Sequence, residues 1–184
     1  MEKNIEQLQA ELENLKAKVS ALENSRKDQL SIAIVSGDLD KILAAMIISL
    51  AAAASDMKVK LFFSFWALAA LRDPRKKVKG KNFISKMFGL MLPKSKDHLK
   101  LSKMNMMGMG PMMIKNLMKK KGVYSLDEMF KMAGELGIEI TVCEMSMDLM
   151  GFKKEEFIDY PNLRFAGAAT FIADAAESSV QLFI

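Results

Sequence analysis

A single cysteine, Cys143, leaves the chain without an internal disulfide and without the thiolate cluster of a structural zinc site. A single histidine, His98, argues against a histidine metal centre or a Ser-His-Asp triad. Long apolar runs are missing as well. The best stretch, 42–54, has thirteen residues and is flanked by Asp38, Asp40 and Asp56, so it reads as a buried helix rather than a membrane span. The polar amino-terminal stretch lacks the pattern of a secretory signal, and the expected compartment is the cytoplasm. There is no G-x-x-x-x-G-K-[ST], and Gly108-Met109-Gly110 runs into Pro111 instead of opening a G-x-G-x-x-G helix. No nucleotide, metal or other cofactor is therefore expected.

What is present is a globular composition: 184 residues, 51% apolar and 27% charged, which fits one domain plus an appendage. The net charge of +5 is unevenly spread. Between Arg72 and Lys121 there are fifteen basic residues against two Asp, together with nine of the 17 Met. The rest of the chain is net acidic.

Residues 1–26 carry Ile5, Leu8, Leu12, Leu15, Val19 and Leu22 at alternating spacings of three and four. This is an a/d seam with Ile5, Leu12 and Val19 at a, and Leu8, Leu15 and Leu22 at d. In a parallel arrangement Glu11 faces Lys16 of a partner and Lys18 faces Glu23. A short coiled-coil helix that self-associates is expected. The competing reading is a lone amphipathic helix packed on its own domain.

From Gln29 the texture changes. Leu30 to Val35 is a β-branched run ended by Ser36-Gly37-Asp38, after which Leu39, Ile42, Leu43, Met46, Ile47 and Leu50 mark a helix with Asp38 as its cap. Val59 to Phe63, Ile138 to Cys143, Leu163 to Ala169 and Val180 to Ile184 read as further strands. Ser125 to Leu136 and Thr170 to Ser178 read as helices, the first with a Ser125/Glu128 capping box and Gly137 at its end. Near-continuous apolar strands alternating with helices predict an α/β fold with a mostly parallel five-stranded sheet covered on both faces, spanning 29–184. Residues 72–121 break the alternation. They read as an insertion with helices over Phe83–Leu92 and Pro111–Lys121, forming a flap over the sheet edge.

Ligands bind at the carboxyl ends of parallel strands. Three candidate segments fall there. The backbone N–H groups of Ser36-Gly37-Asp38 can hold an anion, although such a turn is also ordinary. Ser64-Phe65-Trp66 can wall a pocket or simply pack. In Cys143-Glu144-Met145-Ser146-Met147-Asp148, Cys143 ends its strand, and Ser146 or Asp148 can cap a short helix. A thiol placed there near many Lys gains thiolate character, whereas an ordinary lone cysteine is a small buried hydrophobe. The basic run lacks the interleaved aromatics of a stacking platform, so nucleic acid is not an expected partner. Met104, Met106, Met107, Met109, Met112 and Met113 suit an adaptable apolar face or contact with an anionic membrane surface. Copper storage would bring more Cys or His.

Four motifs together resemble the DsrE/DsrF/DsrH-like family: 36–41 (SGDLDK), 62–68 (FFSFWAL), Leu101 to Met106 with Gly108 to Pro111, and 143–151 (CEMSMDLMG). The resemblance is closest to its Met-rich branch, also called peroxiredoxin-like or sulfurtransferase. It implies a flavodoxin-like α/β/α fold, a homo-oligomer, and a cysteine that holds sulfur as a persulfide and passes it to another thiol. The matching position is Cys143, with Ser36, Gly37, Asp38, Ser64, Trp66, Met145, Ser146 and Asp148 around it. With no second cysteine, neither an internal sulfur relay nor a peroxiredoxin-like resolving step is available to one chain. A non-catalytic binding module that uses the basic Met-rich flap is the alternative reading.

Overall fold

The computed structural model describes residues 2–24, 28–76, 78, 87–89 and 91–184. It contains helix α1 (Glu2–Asn24), strand β1 (Gln29–Ile34), α2 (Leu39–Ala54), β2 (Lys58–Phe63), α3 (Met109–Lys120), α4 (Leu126–Glu135), β3 (Glu139–Cys143), α5 (Glu144–Leu149), β4 (Leu163–Ala166), α6 (Ala168–Ala176) and β5 (Val180–Phe183). All four strand pairings are parallel, in the order β4-β3-β2-β1-β5. This is the expected five-stranded parallel sheet between helical layers.

Alternation along the strands sorts side chains to two faces. Leu30, Ile32 and Ile34 of β1, Leu61 and Phe63 of β2, and Ile140 and Val142 of β3 form the main core with α2 and α4. Phe63 meets Phe130 of α4 at a centroid distance of 6.5 Å. Each such fully buried large side chain contributes roughly 1.5–3 kcal/mol. The opposite face is mixed. Phe62 packs on Phe171 of α6 at 5.5 Å, while Gln29, Ser31, Lys60 and Thr141 are polar. Asp174 of α6 answers them: its carboxylate pairs with Lys60 and takes Arg164 Nη2 at 2.6 Å, and its carbonyl accepts from Gln29 Nε2 at 2.8 Å. Arg164 Nε also donates to Thr141 Oγ1 at 2.7 Å. The second helical layer is thus held by ions as much as by apolar contact.

Helix α4 begins with the expected capping box, Ser125 and Glu128 bonding reciprocally. Asp38 sits at the expected N-cap of α2 but makes no side-chain cap bond; its carboxylate accepts from the Ser36 hydroxyl at 3.0 Å. Strand β4 ends at Ala166, and Gly167 is the N-cap of α6, which starts at Ala168, two residues earlier than expected. Within Phe83–Leu92, residues 87–89 and 91 are helical, and 83–86 and 90 lie outside the described residues. The insertion is anchored at its base by Arg72. Its guanidinium lies 4.7 Å over the Phe152 ring, donates to the Pro93 carbonyl at 3.1 Å and faces Glu156 at 3.9 Å. Burial lowers its pKa from the ordinary value.

Candidate functional site

The carboxyl edge of the sheet gathers the three predicted segments. The Ser64 amide donates to the Ile34 carbonyl at 2.9 Å and the Ala67 amide to the Val35 carbonyl at 3.1 Å, tying the turn after β2 to the turn after β1. Gly37 is required by this approach, since a Cβ there would lie 2.4 Å from the Trp66 carbonyl oxygen. The Ser64 and Ser146 hydroxyls, both buried, meet at 2.8 Å and join the turn after β2 to α5. Ser36, Gly37, Asp38, Ser64, Trp66 and Ser146 are therefore linked to one another along one edge.

Cys143 is the last residue of β3 and the N-cap of α5, a place that sequence reasoning gave to Ser146 or Asp148. Ser146 is instead engaged with Ser64, and Asp148 is exposed near the far end of the helix. The Cys143 side chain is 1% exposed, so the thiol is enclosed rather than open to the crevice. Alternation puts it on the Thr141 face of β3, and Ala166 is its neighbour on β4. The turn after β2 and helix α5 carry open apolar side chains: Phe65, Trp66, Met145 and Leu149 are all exposed.

The insertion returns to the same edge. The Leu39 amide donates to the Lys100 carbonyl at 2.7 Å, and Ser102 gives Asp40 both its amide, at 2.9 Å, and its hydroxyl, at 2.6 Å. Burial alone would raise the Asp40 carboxyl, but the Ser102 bonds outweigh it and hold the group below its ordinary value. Leu99 is buried beneath this contact. The following loop is tightly wound: Met104, Met106 and Met107 have positive φ, and a Cβ on Gly110 would lie 2.0 Å from the Met104 carbonyl oxygen. Met104, Met106, Met107, Met109, Met112 and Met113 all point to solvent, the outer stripe of α3 continuing through Leu117. Gly110 and Pro111 take the inward positions of α3.

A separate cleft of about 540 Å3 lies between α2, α3 and the start of α4, with Leu39, Leu43, Met118 and Leu126 beside Lys115 and Lys119. Its lining residues do not include Cys143, Ser64 or Ser146. Among the described residues no group of three His, Cys, Asp or Glu is placed to hold a metal, and no helix is long and apolar enough to cross a membrane. The Lys60–Asp174–Arg164 cluster was missed by sequence reasoning. The available signal was a lone acid in the apolar helix sequence 168–176 opposite isolated cations in strand sequences.

The sequence profile described as the DsrE/DsrF/DrsH-like family matches residues 26–183. Protein YrkE of Bacillus subtilis (strain 168) is 47% identical over 154 residues, covering 84% of this chain and 95% of that one. The protein named "Sulfur carrier protein DsrE2" of Allochromatium vinosum is 34% identical over 157 residues, covering 85% and 98%. A crystal structure of the ychN protein from E. coli covers 85% of this chain and 99% of its own, at 11% identity and a TM-score of 0.47. With a profile match over nearly the whole α/β body and two relatives that it spans almost end to end, the chain belongs to the DsrE/DsrF/DrsH-like family.

Proposed function

We propose that the chain is a sulfur carrier that works through Cys143. One observation carries this reading: the only cysteine ends a central parallel strand at the ligand-binding edge of a fold whose family includes a named sulfur carrier. The Cys143 thiolate attacks the outer sulfur of a donor persulfide. The donor S–S bond breaks, the donor leaves as a thiolate, and Cys143 holds the persulfide. An acceptor thiolate then attacks that outer sulfur and Cys143 leaves as thiolate, with no net oxidation. Enclosure of Cys143 keeps the persulfide away from bulk water. Transfer then requires the six-residue α5 to open. The exposed Met and Lys side chains of α3 and its loop form the face on which an acidic, thiol-bearing partner docks.

The test is the intact mass of the protein after incubation with glutathione persulfide. The expected result is a gain of one sulfur atom, reversed by a reductant and absent in Cys143→Ser. No gain, or the same gain in Cys143→Ser, rejects the carrier role. The enclosed thiol together with an open methionine face favours the second reading, a docking module in which Cys143 only packs. In that case Cys143→Ser leaves partner binding intact while Met112→Glu with Met113→Glu abolishes it.

A further inference from the structure

The helix α1 is long, amphipathic and uncovered. Every side chain described between residues 7 and 20 is exposed, and the seam residues Leu8, Leu12, Leu15 and Val19 are each more than half open, at 59, 52, 59 and 51%. A single helix of this length is marginal in water, and its stability comes from burying an apolar stripe against a partner. The α/β body does not provide that partner, because the stripe is open along its described length. The stripe also repeats every seven residues, the pattern that supercoils two helices together, rather than following the broader 3.6-residue face of a helix packed on a domain.

We infer that α1 of one chain pairs in parallel, in register, with α1 of a second copy. Three features choose this occupant. First, the seam has β-branched Ile5 and Val19 at two of its three a positions, with Leu12 between them, and Leu8, Leu15 and Leu22 at d, a pattern close to the β-branched-at-a, leucine-at-d combination that favours two parallel strands. Second, the flanking charges match themselves only in that arrangement: Glu11 meets Lys16 and Lys18 meets Glu23, each pair occurring twice across the two-fold axis. An antiparallel pair keeps only the Glu11–Lys18 match and sets Lys16 against the neutral Gln9. Third, no charged residue interrupts an a or d position from Ile5 to Leu22, so the seam is continuous.

The topology gives the pairing a functional geometry. The strands are all parallel, so α1 joins β1 at the amino edge of the sheet, while Cys143 ends β3 at the carboxyl edge. Those edges are separated by roughly 15–20 Å of strand. The coil therefore tethers two bodies from behind and leaves both Cys143 edges and both methionine faces unobstructed.

The full-length Leu8→Cys, Cys143→Ser chain in a glutathione redox buffer tests this directly. A parallel seam places the two position-8 side chains opposite one another, so a disulfide-linked dimer is expected to accumulate far beyond its yield in denaturant. An antiparallel seam places position 8 against Val19, and no such dimer forms. In the same background, Glu11→Lys with Lys18→Glu should lower the cross-linking equilibrium roughly tenfold or more, and so should Lys16→Glu with Glu23→Lys. Mixing the two charge-reversed chains should restore it as a heterodimer. That rescue also controls for folding, since an unfolded helix has no complementary partner. The inference is overturned by a position-8 yield no higher than in denaturant, by either reversal leaving the yield unchanged, or by a mixture that stays uncross-linked.

Discussion

Asp174 is the residue whose removal the structure constrains most sharply. Its side chain is 12% exposed, as is that of Lys60, so the pair is largely withdrawn from water. Asp174→Ala leaves the largely enclosed Lys60 ammonium without its ion-pair partner. Arg164 is less affected, since it keeps Glu139 at 3.3 Å and the Thr141 hydroxyl, and it is more open to solvent. Removing one partner of a buried pair costs about 3–5 kcal/mol, most of it the stranded charge. With a urea m-value of about 2 kcal/mol/M, a loss of about 3 kcal/mol lowers the midpoint by roughly 1.5 M. Asp174→Asn keeps an acceptor for Arg164 and should lose less. The decisive variant is the double substitution Asp174→Ala with Lys60→Met. Removing the stranded ammonium should recover at least half of the loss, because replacing both ions with apolar groups is close to neutral. Urea unfolding followed by circular dichroism on the single and double variants measures this. A single-variant loss below about 1 kcal/mol, or a double variant no more stable than the single, would refute the claim that desolvated charge holds α6 to the sheet.

Three further outcomes follow from other sites. Gly37→Ala forces a Cβ to within 2.4 Å of the Trp66 carbonyl oxygen, so the turns must part; a loss of about 1–3 kcal/mol and a shifted Trp66 fluorescence are expected, and unchanged values of both would contradict the close approach. The Arg75 side chain and amide hold the Asp73 carboxyl at about 2, below its unfolded value, so the stability it contributes is present above about pH 4 and lost as pH falls toward 2; Asp73→Asn should flatten the acid limb of a stability-against-pH curve, and an unaltered limb would remove that contribution. Native Cys143 should alkylate far more slowly than in urea, and Ser146→Ala, which frees one link between α5 and the turn after β2, should speed it; equal native and denatured rates would show that the thiol is open.

The strands and most helices were legible because helices cover the sheet: Leu30 to Ile34 is apolar apart from Ser31, and Ile138, Ile140, Val142 and Cys143 keep the second run recognisable. The Ser125 box was legible because a cap is local chemistry. The order of the strands was not, since adjacency depends on which crossover packs where. Asp38 takes the expected N-cap position without a side-chain cap bond, its carboxylate accepting from Ser36 two residues away, and nothing in the residue types decides between those partners. The site was half legible. Position along the sheet brought Ser64, Ser146 and Cys143 to one edge, but the enclosure of the thiol depends on tertiary packing around α5. The outward orientation of the methionines was not legible from hydrophobicity alone. The close backbone contact at Gly110 takes the inner positions and turns them out.

That contact has a consequence for selectivity. A loop held by Gly110 against Met104, with the Gly108 amide on the Asn105 carbonyl at 2.8 Å, loses little backbone freedom when something settles on it. Its thioether chains keep theirs, since each has three rotatable bonds and no branch. The frame is stiff while its contact layer is pliant, so in the proposed docking role it would conform to partners of different shape at small entropic cost and discriminate poorly among them. Discrimination on this surface falls to the lysines, whose fixed sign accepts acidic partners and rejects basic ones.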